Sequence, residues 1–188
     1  MLKLRDYQEE GAKVVAECIK KHNLHYLAWS VRTGKSLTAL RSVEILGCKK
    51  VLFVTKKKAM SSVQSDYNLF GFTYQMDLIN KESIHKIEDR DYDLIISDEH
   101  HASCSSFPKP GKFAKQLKEM FSDKKMLFLS GTPTPESFSQ MYHQFWVSKY
   151  SPWSNYSNFY NWARDYVKVK QKRIGHNMHN DYSDGLRS

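Results

Sequence analysis

The sequence predicts an α/β fold: a mostly parallel central sheet flanked by helices, followed by a helical extension rich in aromatic residues. Over the first 135 residues, short apolar runs alternate with segments of helical periodicity, a pattern typical of βαβ units. After Pro135 the aromatic content rises, and after Lys168 the chain becomes basic and polar. We therefore expect a sheet domain over 1–135, a helical extension over 136–167 and a basic tail or linker over 168–188.

The first predicted element is a helix from Asp6 to about His22, because Asp6 and Glu9 have the spacing of a capping box. A strand over 24–30 follows. The next helix ends at Gly47, since glycine readily adopts the left-handed conformation that closes a helix. The remaining strands are expected at 51–55, 74–79, 94–97 and 126–130, and the remaining helices at 59–70 and 113–121. Because ligands of such sheets bind at the carboxyl ends of the strands, the residues that follow each strand are the candidate site residues.

The composition restricts the classes of protein to which the chain can belong. Its 188 residues carry a formal net charge of +9, and a basic surface attracts polyanions, with nucleic acid the first candidate. No apolar run is long enough to span a membrane, and the charged N-terminus is unlike a secretory signal. The three cysteines are scattered without CxxC spacing, which argues for an intracellular, cytoplasmic setting and against a disulfide framework.

A phosphate-binding loop is indicated after the first strand, where Thr33-Gly34-Lys35-Ser36 opens a helix. In the pattern G-x-x-x-x-G-K-[ST], backbone N–H groups of the loop and the helix N-terminus surround the phosphates. Lys35 would reach the β- and γ-phosphates, and Ser36 would ligate Mg²⁺. The match is partial, since Trp29 occupies the position of the first glycine.

An acidic motif follows a later apolar strand, in the run Leu94-Ile95-Ile96-Ser97-Asp98-Glu99-His100-His101. Asp98 would hold Mg²⁺ through water, and Glu99 would polarise the attacking water. The alternative is an ordinary acidic pair at a strand end. That alternative loses weight because a second half of the same metal–phosphate site, the GKS sequence, follows another strand.

Together these residues resemble the first RecA-like motor domain of superfamily-two helicases and translocases, of the Swi/Snf-like or phage type. The order of the motifs agrees: an L-x-x-Y-Q element at Leu4, then TGKS, VLFVTKK, DEHH and finally SGTP at 130–133. The resemblance is specific over about residues 2–135 and weaker to about 167. It implies an ATP hydrolase that uses ATP and Mg²⁺, acts on nucleic acid, in the first place DNA, and works in a prokaryotic or phage-infected cell.

The resemblance also implies a role for individual residues. Gln8 would read the adenine, and the other nucleotide-binding residues would be Arg32, Thr33, Gly34, Lys35 and Ser36. Ser36 and Asp98 would hold the metal, and Lys35, Asp98 and Glu99 would carry catalysis. His100, Ser130 and Thr132 would couple the nucleotide to the nucleic acid, whose backbone would contact Thr55, Lys56, Lys57 and Asn80.

Two departures from the family concern the phosphate-binding loop and the second half of the motor. Arg32 stands where the family usually has glycine, and a left-handed conformation there costs roughly 1 kcal/mol or more. The family hydrolyses ATP between two RecA-like domains, and nothing after residue 135 resembles the second. We therefore expect this chain to be the N-terminal part of a longer protein, or to need a partner, and to turn ATP over very slowly alone.

Other readings of the same residues remain open. The first is a degenerate P-loop module that binds nucleic acid or protein without turnover, which Arg32 and Trp29 favour. The second is a small P-loop kinase, which leaves the SGTP sequence unexplained. His100, His101 and Cys104 form a compact cluster with metal-binding residue types, but a coupling role of His100 is the stronger reading. The aromatic residues after Phe138 are expected to pack in a core more than to stack on bases.

Overall fold

A computed structural model describes residues 2–185 and contains a five-stranded, all-parallel sheet with the strand order β1-β5-β4-β2-β3. The strands are β1 (Leu24–Ala28), β2 (Lys50–Thr55), β3 (Gln75–Asn80), β4 (Leu94–Ser97) and β5 (Met126–Ser130). The helices around them are α1 (Asp6–His22), α2 (Lys35–Leu46), α3 (Met60–Leu69), α4 (His101–Cys104) and α5 (Lys112–Phe121). The α/β class and the parallel sheet predicted from the alternating pattern are confirmed.

The sheet is buried on both faces, which explains the continuous apolar runs of its strands. In β2, Val51 and Phe53 point into the core shared with α1, α2 and α3, while Leu52 and Val54 point into the core beneath α5. All four side chains are fully buried. The strand period of two therefore supplies one set of apolar side chains to each face of the sheet.

The first helix begins as predicted but is capped differently. Its N-cap is Arg5, whose backbone N–H donates to Gln8 Oε1 over 3.0 Å. Glu9 does not form the predicted capping box with Asp6, because its carboxylate accepts hydrogen bonds from Arg41 on α2 at 2.8 to 3.1 Å. A long-range ion pair has thus taken the residue that the local pattern assigned to the cap. The second helix ends at Gly47, with φ 69°, as expected.

The extension after β5 consists of α6 (Met141–Trp146) and α7 (Phe159–Tyr166), which lie within the segment predicted to be helical. Its aromatic side chains pack on each other around Trp162, which is fully buried and has its ring centroid 5.2 Å from those of Trp153 and Tyr166. Trp146 contacts both this cluster and the core beneath α5. The aromatic residues of the extension therefore form a core of their own, joined to the sheet domain.

The segment predicted as a tail or linker contains an antiparallel hairpin of β6 (Lys170–Ile174) and β7 (Asn177–Asp181). Ile174 pairs with Asn177 across the turn, and Gly175 there has φ 62°. The sequence gives little indication of these strands, because both faces are exposed and no apolar alternation marks them. Residues 186–188 of the predicted tail lie outside the described residues. Within the described part of the chain, no helix is both long and apolar enough to cross a membrane.

Candidate functional site

Three of the predicted motifs meet at one edge of the sheet. Strands β1 and β4 flank β5, and all three run parallel, so their carboxyl ends lie side by side. The TGKS loop follows β1, the acidic motif follows β4 and the SGTP loop follows β5 between them. Gly131 of the SGTP loop also lies against the TGKS loop, since a Cβ atom there would come within 3.0 Å of Val31 Cγ1.

The phosphate-binding loop contains two residues in the left-handed conformation. Gly34, the N-cap of α2, has φ 76°, and a Cβ atom on it would lie 2.1 Å from Gln8 Nε2. The position therefore requires glycine for its backbone angle and for its close neighbour. Arg32 has φ 62°, so the strain expected for a non-glycine residue at this position is present and costs about 1–2 kcal/mol.

Gln8 is tied to the same loop. Its Nε2 atom donates to Thr33 O over 3.4 Å, and the Tyr7 hydroxyl donates to the same oxygen over 3.1 Å. Because Gln8 Oε1 already accepts from Arg5, one amide hydrogen and one lone pair remain for another partner. The predicted adenine-reading residue is thus held beside the loop with one donor and one acceptor free.

The Lys35 side chain lies within the loop, and the residue is 8% exposed. It donates to Ser30 O over 3.0 Å, and Thr33 Oγ1 donates to that oxygen over 2.8 Å. Ser36, half-buried, stands in the first turn of α2, where backbone N–H groups lack partners within the helix. An anion placed here meets a helix N-terminus and a lysine together.

Trp29, the other departure from the glycine pattern, packs against α1. A Cβ atom on Gly11 would lie 2.3 Å from a ring carbon of Trp29, and the ring centroids of Trp29 and Tyr7 are 6.0 Å apart. The absence of a side chain at Gly11 makes room for this indole. The residue that replaces the first glycine of the motif thus forms part of the packing between α1 and the loop.

Asp98 is a buried carboxylate without a cationic partner among residues 2–185. Its Oδ2 atom accepts from Thr55 Oγ1 over 2.7 Å, and its Oδ1 atom accepts from the Glu99 N–H over 2.9 Å. Burying an anion is costly unless a cation accompanies it. The arrangement fits a divalent ion such as Mg²⁺, which takes one or two protein oxygens besides phosphates and water.

Thr55 was predicted to contact the nucleic-acid backbone, and the structure differs on this point. The side chain is fully buried, and its hydroxyl is used by Asp98. The reason is the register of β2 and β4: Val54 pairs with Ser97, so the next residues of the two strands, Thr55 and Asp98, lie side by side. Thr55 therefore orients the acidic motif.

Glu99 is held in the left-handed conformation, with φ 47°, by a residue that the sequence analysis did not single out. The Lys81 ammonium donates to Glu99 O over 2.8 Å and to Ser103 Oγ over 2.7 Å. Burial lowers the pKa of Lys81 from 10.5 to about 8. Its position directly after the β3 strand was the one sequence signal that could have identified it.

The two histidines of the acidic motif have different surroundings. His100 is fully buried, stacks on Phe128 with ring centroids 3.7 Å apart, and bonds to Ser97 Oγ and Gln144 O. Burial lowers its pKa to about 3, so the ring stays neutral. The hydrogen bonds of His100 go to Ser97 and Gln144, and none goes to the SGTP loop, so the structure offers no direct contact for the coupling role expected of it.

His101, rather than His100, contacts the SGTP loop. Its Nδ1 atom lies 2.6 Å from Ser130 Oγ, and its Nε2 atom lies 3.4 Å from Thr132 Oγ1. Its Nε2 atom is also 3.8 Å from Glu99 Oε2. His101 thus connects the acidic motif to the SGTP loop, and the turn between β4 and α4 decides which histidine faces it.

One of the predicted nucleic-acid residues, Lys56, lines a cavity at the same edge. Lys56 and Lys57 are exposed, and Asn80 Oδ1 accepts from the Ser83 N–H over 2.9 Å. The cavity has a volume of about 450 Å³, and its lining includes Lys56, Lys81, His85, Lys112 and Phe113. Among the described residues, no group of three or more His, Cys, Asp or Glu side chains is placed to hold a metal, and this includes the cluster around Cys104.

Comparison with known proteins places this fold in a family. The SWI2/SNF2 ATPase core domain of Sulfolobus solfataricus matches 88% of the chain with a TM-score of 0.66 and 12% identity, over 38% of its own length. The Hef helicase domain of Pyrococcus furiosus matches 88% of the chain with a TM-score of 0.57 and 17% identity, over 40% of its own length. The chain therefore spans well under half of either structure, and these matches confirm the RecA-like fold.

A search of curated protein sequences finds no match to the chain. The family model described as the SNF2-related domain, by contrast, matches residues 7–183 and so includes the sheet domain, the helical extension and the hairpin. With nearly all of its 188 residues matched, the chain belongs to the SNF2-related domain family, a family of ATP-dependent nucleic-acid helicases and translocases, in which it corresponds to the N-terminal RecA-like domain.

Proposed function

We propose that the chain is the first motor domain of an ATP-dependent helicase or translocase that acts on DNA. It binds ATP with Mg²⁺ at the carboxyl edge of the sheet and hydrolyses it very slowly alone. A second RecA-like domain, in the same longer chain or in a partner, completes the motor. The observation that carries this proposal is the buried Asp98 carboxylate, held by Thr55 and the Glu99 N–H beside a lysine-containing phosphate loop.

The nucleotide is held by the loop and by α1. The N-terminus of α2 and Lys35 bind the phosphates, while the free donor and acceptor of Gln8 bind the adenine edge. Thr33 and Gly34 shape the loop, and the Arg32 guanidinium adds positive charge next to it. Ser36 and Asp98 hold Mg²⁺, which neutralises phosphate charge and so favours phosphoryl transfer.

Glu99 orients the attacking water, and its neighbours connect it to the SGTP loop. The left-handed backbone of Glu99 is fixed by Lys81, so the carboxylate is positioned before a nucleotide binds. His101 in place of His100 carries the coupling role, since it bonds to both Ser130 and Thr132. A movement of Glu99 therefore reaches the SGTP loop through one imidazole.

Nucleic acid is bound at the same edge. Lys56 and Lys57 are exposed and contact phosphates, and Asn80 keeps its amide N–H groups for the backbone, because its oxygen already caps the helical turn that follows. Thr55 is not included, since its hydroxyl is buried. These contacts do not depend on the base sequence of the nucleic acid, and they weaken as the salt concentration rises.

Isothermal titration with ATP and Mg²⁺ tests the nucleotide site. We expect Lys35→Ala to abolish binding and Asp98→Asn to remove the part of the affinity that depends on Mg²⁺, while Glu17→Gln, an exposed acid on α1, leaves both unchanged. Hydrolysis should be followed with the protein in excess over ATP, where slow turnover is measurable. Equal Mg²⁺-dependent affinities of the wild type and Asp98→Asn contradict the proposal.

A non-enzymatic binding module is the second candidate, and the strained Arg32 favours it. Its side chain stands where the phosphates need close backbone approach, and its conformation is costly. This candidate predicts no heat on titration with ATP and Mg²⁺, together with unimpaired binding of DNA. The same titration therefore separates the two functions.

A further inference from the structure

The β6–β7 hairpin extends from the fold without packing on it. Every residue of β6 and the residues of β7 up to Asn180 are exposed. Its base is fixed, because Ser139 Oγ donates to Tyr182 O over 2.5 Å and Gly185 is paired with Val167. A Cβ atom on Gly185 would also come within 2.6 Å of Phe138 Cβ. The hairpin is therefore a projecting ribbon on a rigid base.

The ribbon is strongly basic. Between residues 168 and 181 there are four basic side chains, Lys168, Lys170, Lys172 and Arg173, and one acidic side chain, Asp181. Lys172 pairs with Asp181 over 2.5 Å, and Lys170 pairs with Asp184 over 2.7 Å. Ion pairs at such exposed positions contribute only about 0–1 kcal/mol, so phosphate groups can replace the carboxylates.

Nothing in the ribbon suits an apolar partner. Three large apolar side chains between residues 168 and 181 are exposed: Val169, Ile174 and Met178. Met178 and Ile174 occupy opposite faces of the ribbon, since Met178 pairs with Arg173 and not with Ile174. A two-stranded ribbon with no apolar face is marginally stable in isolation. Its charge and its lack of an apolar surface thus point to a polyanionic partner.

The position and the size of the ribbon restrict that partner further. The residues that anchor its base, Phe138 and Ser139, come shortly after the SGTP loop at the carboxyl edge of the sheet. The major groove of B-form DNA is about 12 Å wide and admits a two-stranded ribbon. The major groove of A-form RNA is deep and too narrow for side chains to read.

We propose that the β6–β7 hairpin is a second nucleic-acid contact of this domain, which grips the phosphates that border the major groove of duplex DNA. Lys168, Lys170, Lys172 and Arg173 provide the contacts, separately from Lys56 and Lys57. The inference rests on the proposed function, because it takes DNA as the substrate. It adds the element that holds the duplex, the hairpin, with the four side chains that make the contacts.

Fluorescence anisotropy with a labelled duplex DNA, measured over a range of salt concentrations, tests the inference in the full chain. The hairpin variant changes Lys168, Lys170, Lys172 and Arg173 to glutamine. A matched control changes four exposed lysines outside the hairpin to glutamine: Lys13, Lys20 and Lys21 on α1, and Lys49 directly before β2. A third variant changes the three hairpin lysines to arginine and so keeps their charge.

The slope of log affinity against log salt concentration should fall by about 0.9 for each phosphate contact removed, and by up to about 4 in the hairpin variant. The control and the arginine variant should keep the wild-type slope. Duplex RNA should show a smaller change of slope than duplex DNA. Circular dichroism of each variant verifies the fold, and we expect no change because the substituted residues are exposed.

Each other outcome has a definite meaning. If the wild type binds duplex DNA and the hairpin variant shows the same salt dependence of affinity as the wild type, the inference is wrong and the proposed function stands. If the wild type does not bind duplex DNA, the inference is wrong, and the titration with ATP and Mg²⁺ decides separately whether the proposed nucleotide site stands. Equal losses of slope with duplex DNA and duplex RNA overturn the assignment to the major groove of B-form DNA.

Discussion

The buried ammonium of Lys81 leads to a prediction about how stability depends on pH. Lys81 is 8% exposed, and its two acceptors, Glu99 O and Ser103 Oγ, are uncharged. Burial therefore lowers its pKa to about 8, against 10.5 for an exposed lysine. The nearby Cys104 stays a neutral thiol over the same range, because burial raises its pKa to about 12.

The sign and the size of the effect follow from proton linkage. Between pH 8 and 10.5 the unfolded chain keeps the proton on Lys81 while the folded chain loses it, so the free energy of unfolding rises with pH. At 1.36 kcal/mol for each pH unit, this lowered pKa corresponds to about 3 kcal/mol. The Lys81→Met variant lacks the titrating group. The stability of the wild type relative to this variant should therefore increase by about 3 kcal/mol across that range.

Urea unfolding followed by tryptophan fluorescence, at several pH values between about 7 and 11, measures this difference. Other titrating groups act equally in both proteins and cancel. Lys20→Met, which removes an exposed ammonium at the end of α1, is the control, and its difference from the wild type should not change with pH. If the difference between the wild type and Lys81→Met is constant over this range, the ammonium is not buried as described, and its role in fixing Glu99 fails with it.

Three further predictions concern the same edge of the sheet. Thr55→Val should lower the free energy of unfolding by about 1–3 kcal/mol, because the buried Asp98 carboxylate loses a hydrogen-bond donor. The same change should weaken the Mg²⁺-dependent binding of ATP. Urea unfolding and titration curves identical to those of the wild type would contradict this. Arg32→Gly should raise the melting temperature. Relief of the strain in the left-handed backbone is worth about 1–2 kcal/mol, which exceeds the cost of the extra conformational entropy that glycine gives the unfolded chain. A melting temperature below that of the wild type in calorimetry refutes this. His100 has its pKa lowered to about 3 by burial, so the unfolded chain binds the proton first, and stability is lost as the pH falls from 6.5. Urea unfolding should show a smaller acid loss in His100→Gln than in the wild type, and the loss that remains comes from other buried histidines such as His143, whose pKa burial lowers to about 4.

Much of the fold was predictable because local pattern and tertiary structure agree. The apolar runs at 51–55, 94–97 and 126–130 are strands buried on both faces, and the glycine at 47 ends its helix. The left-handed conformation at Arg32 also followed from the motif. The hairpin was not predictable, since its strands lack the apolar face that alternation would reveal.

The assignments within the site show a similar limit. Sequence spacing placed His100 next to the acidic pair, but the left-handed turn at Glu99 rotates His101 toward the SGTP loop. The resemblance also implied that Thr55 contacts the nucleic-acid backbone, whereas the fold buries Thr55 against Asp98. A motif states which residues are close along the chain, and the direction of each side chain depends on backbone angles that the motif does not contain.

The sequence by itself determined the succession of strands and helices along the chain and the parallel sheet, because these depend on periodicity. It also determined that a lysine loop and an acidic pair stand at strand ends, because these depend on residue type. Only the tertiary structure decided which histidine contacts the SGTP loop, which lysine bonds to Glu99 and where the basic residues of the hairpin project. These depend on contacts between residues far apart in the chain, such as Lys81 with Glu99 and Ser139 with Tyr182, which form only when the sheet brings its strand ends together.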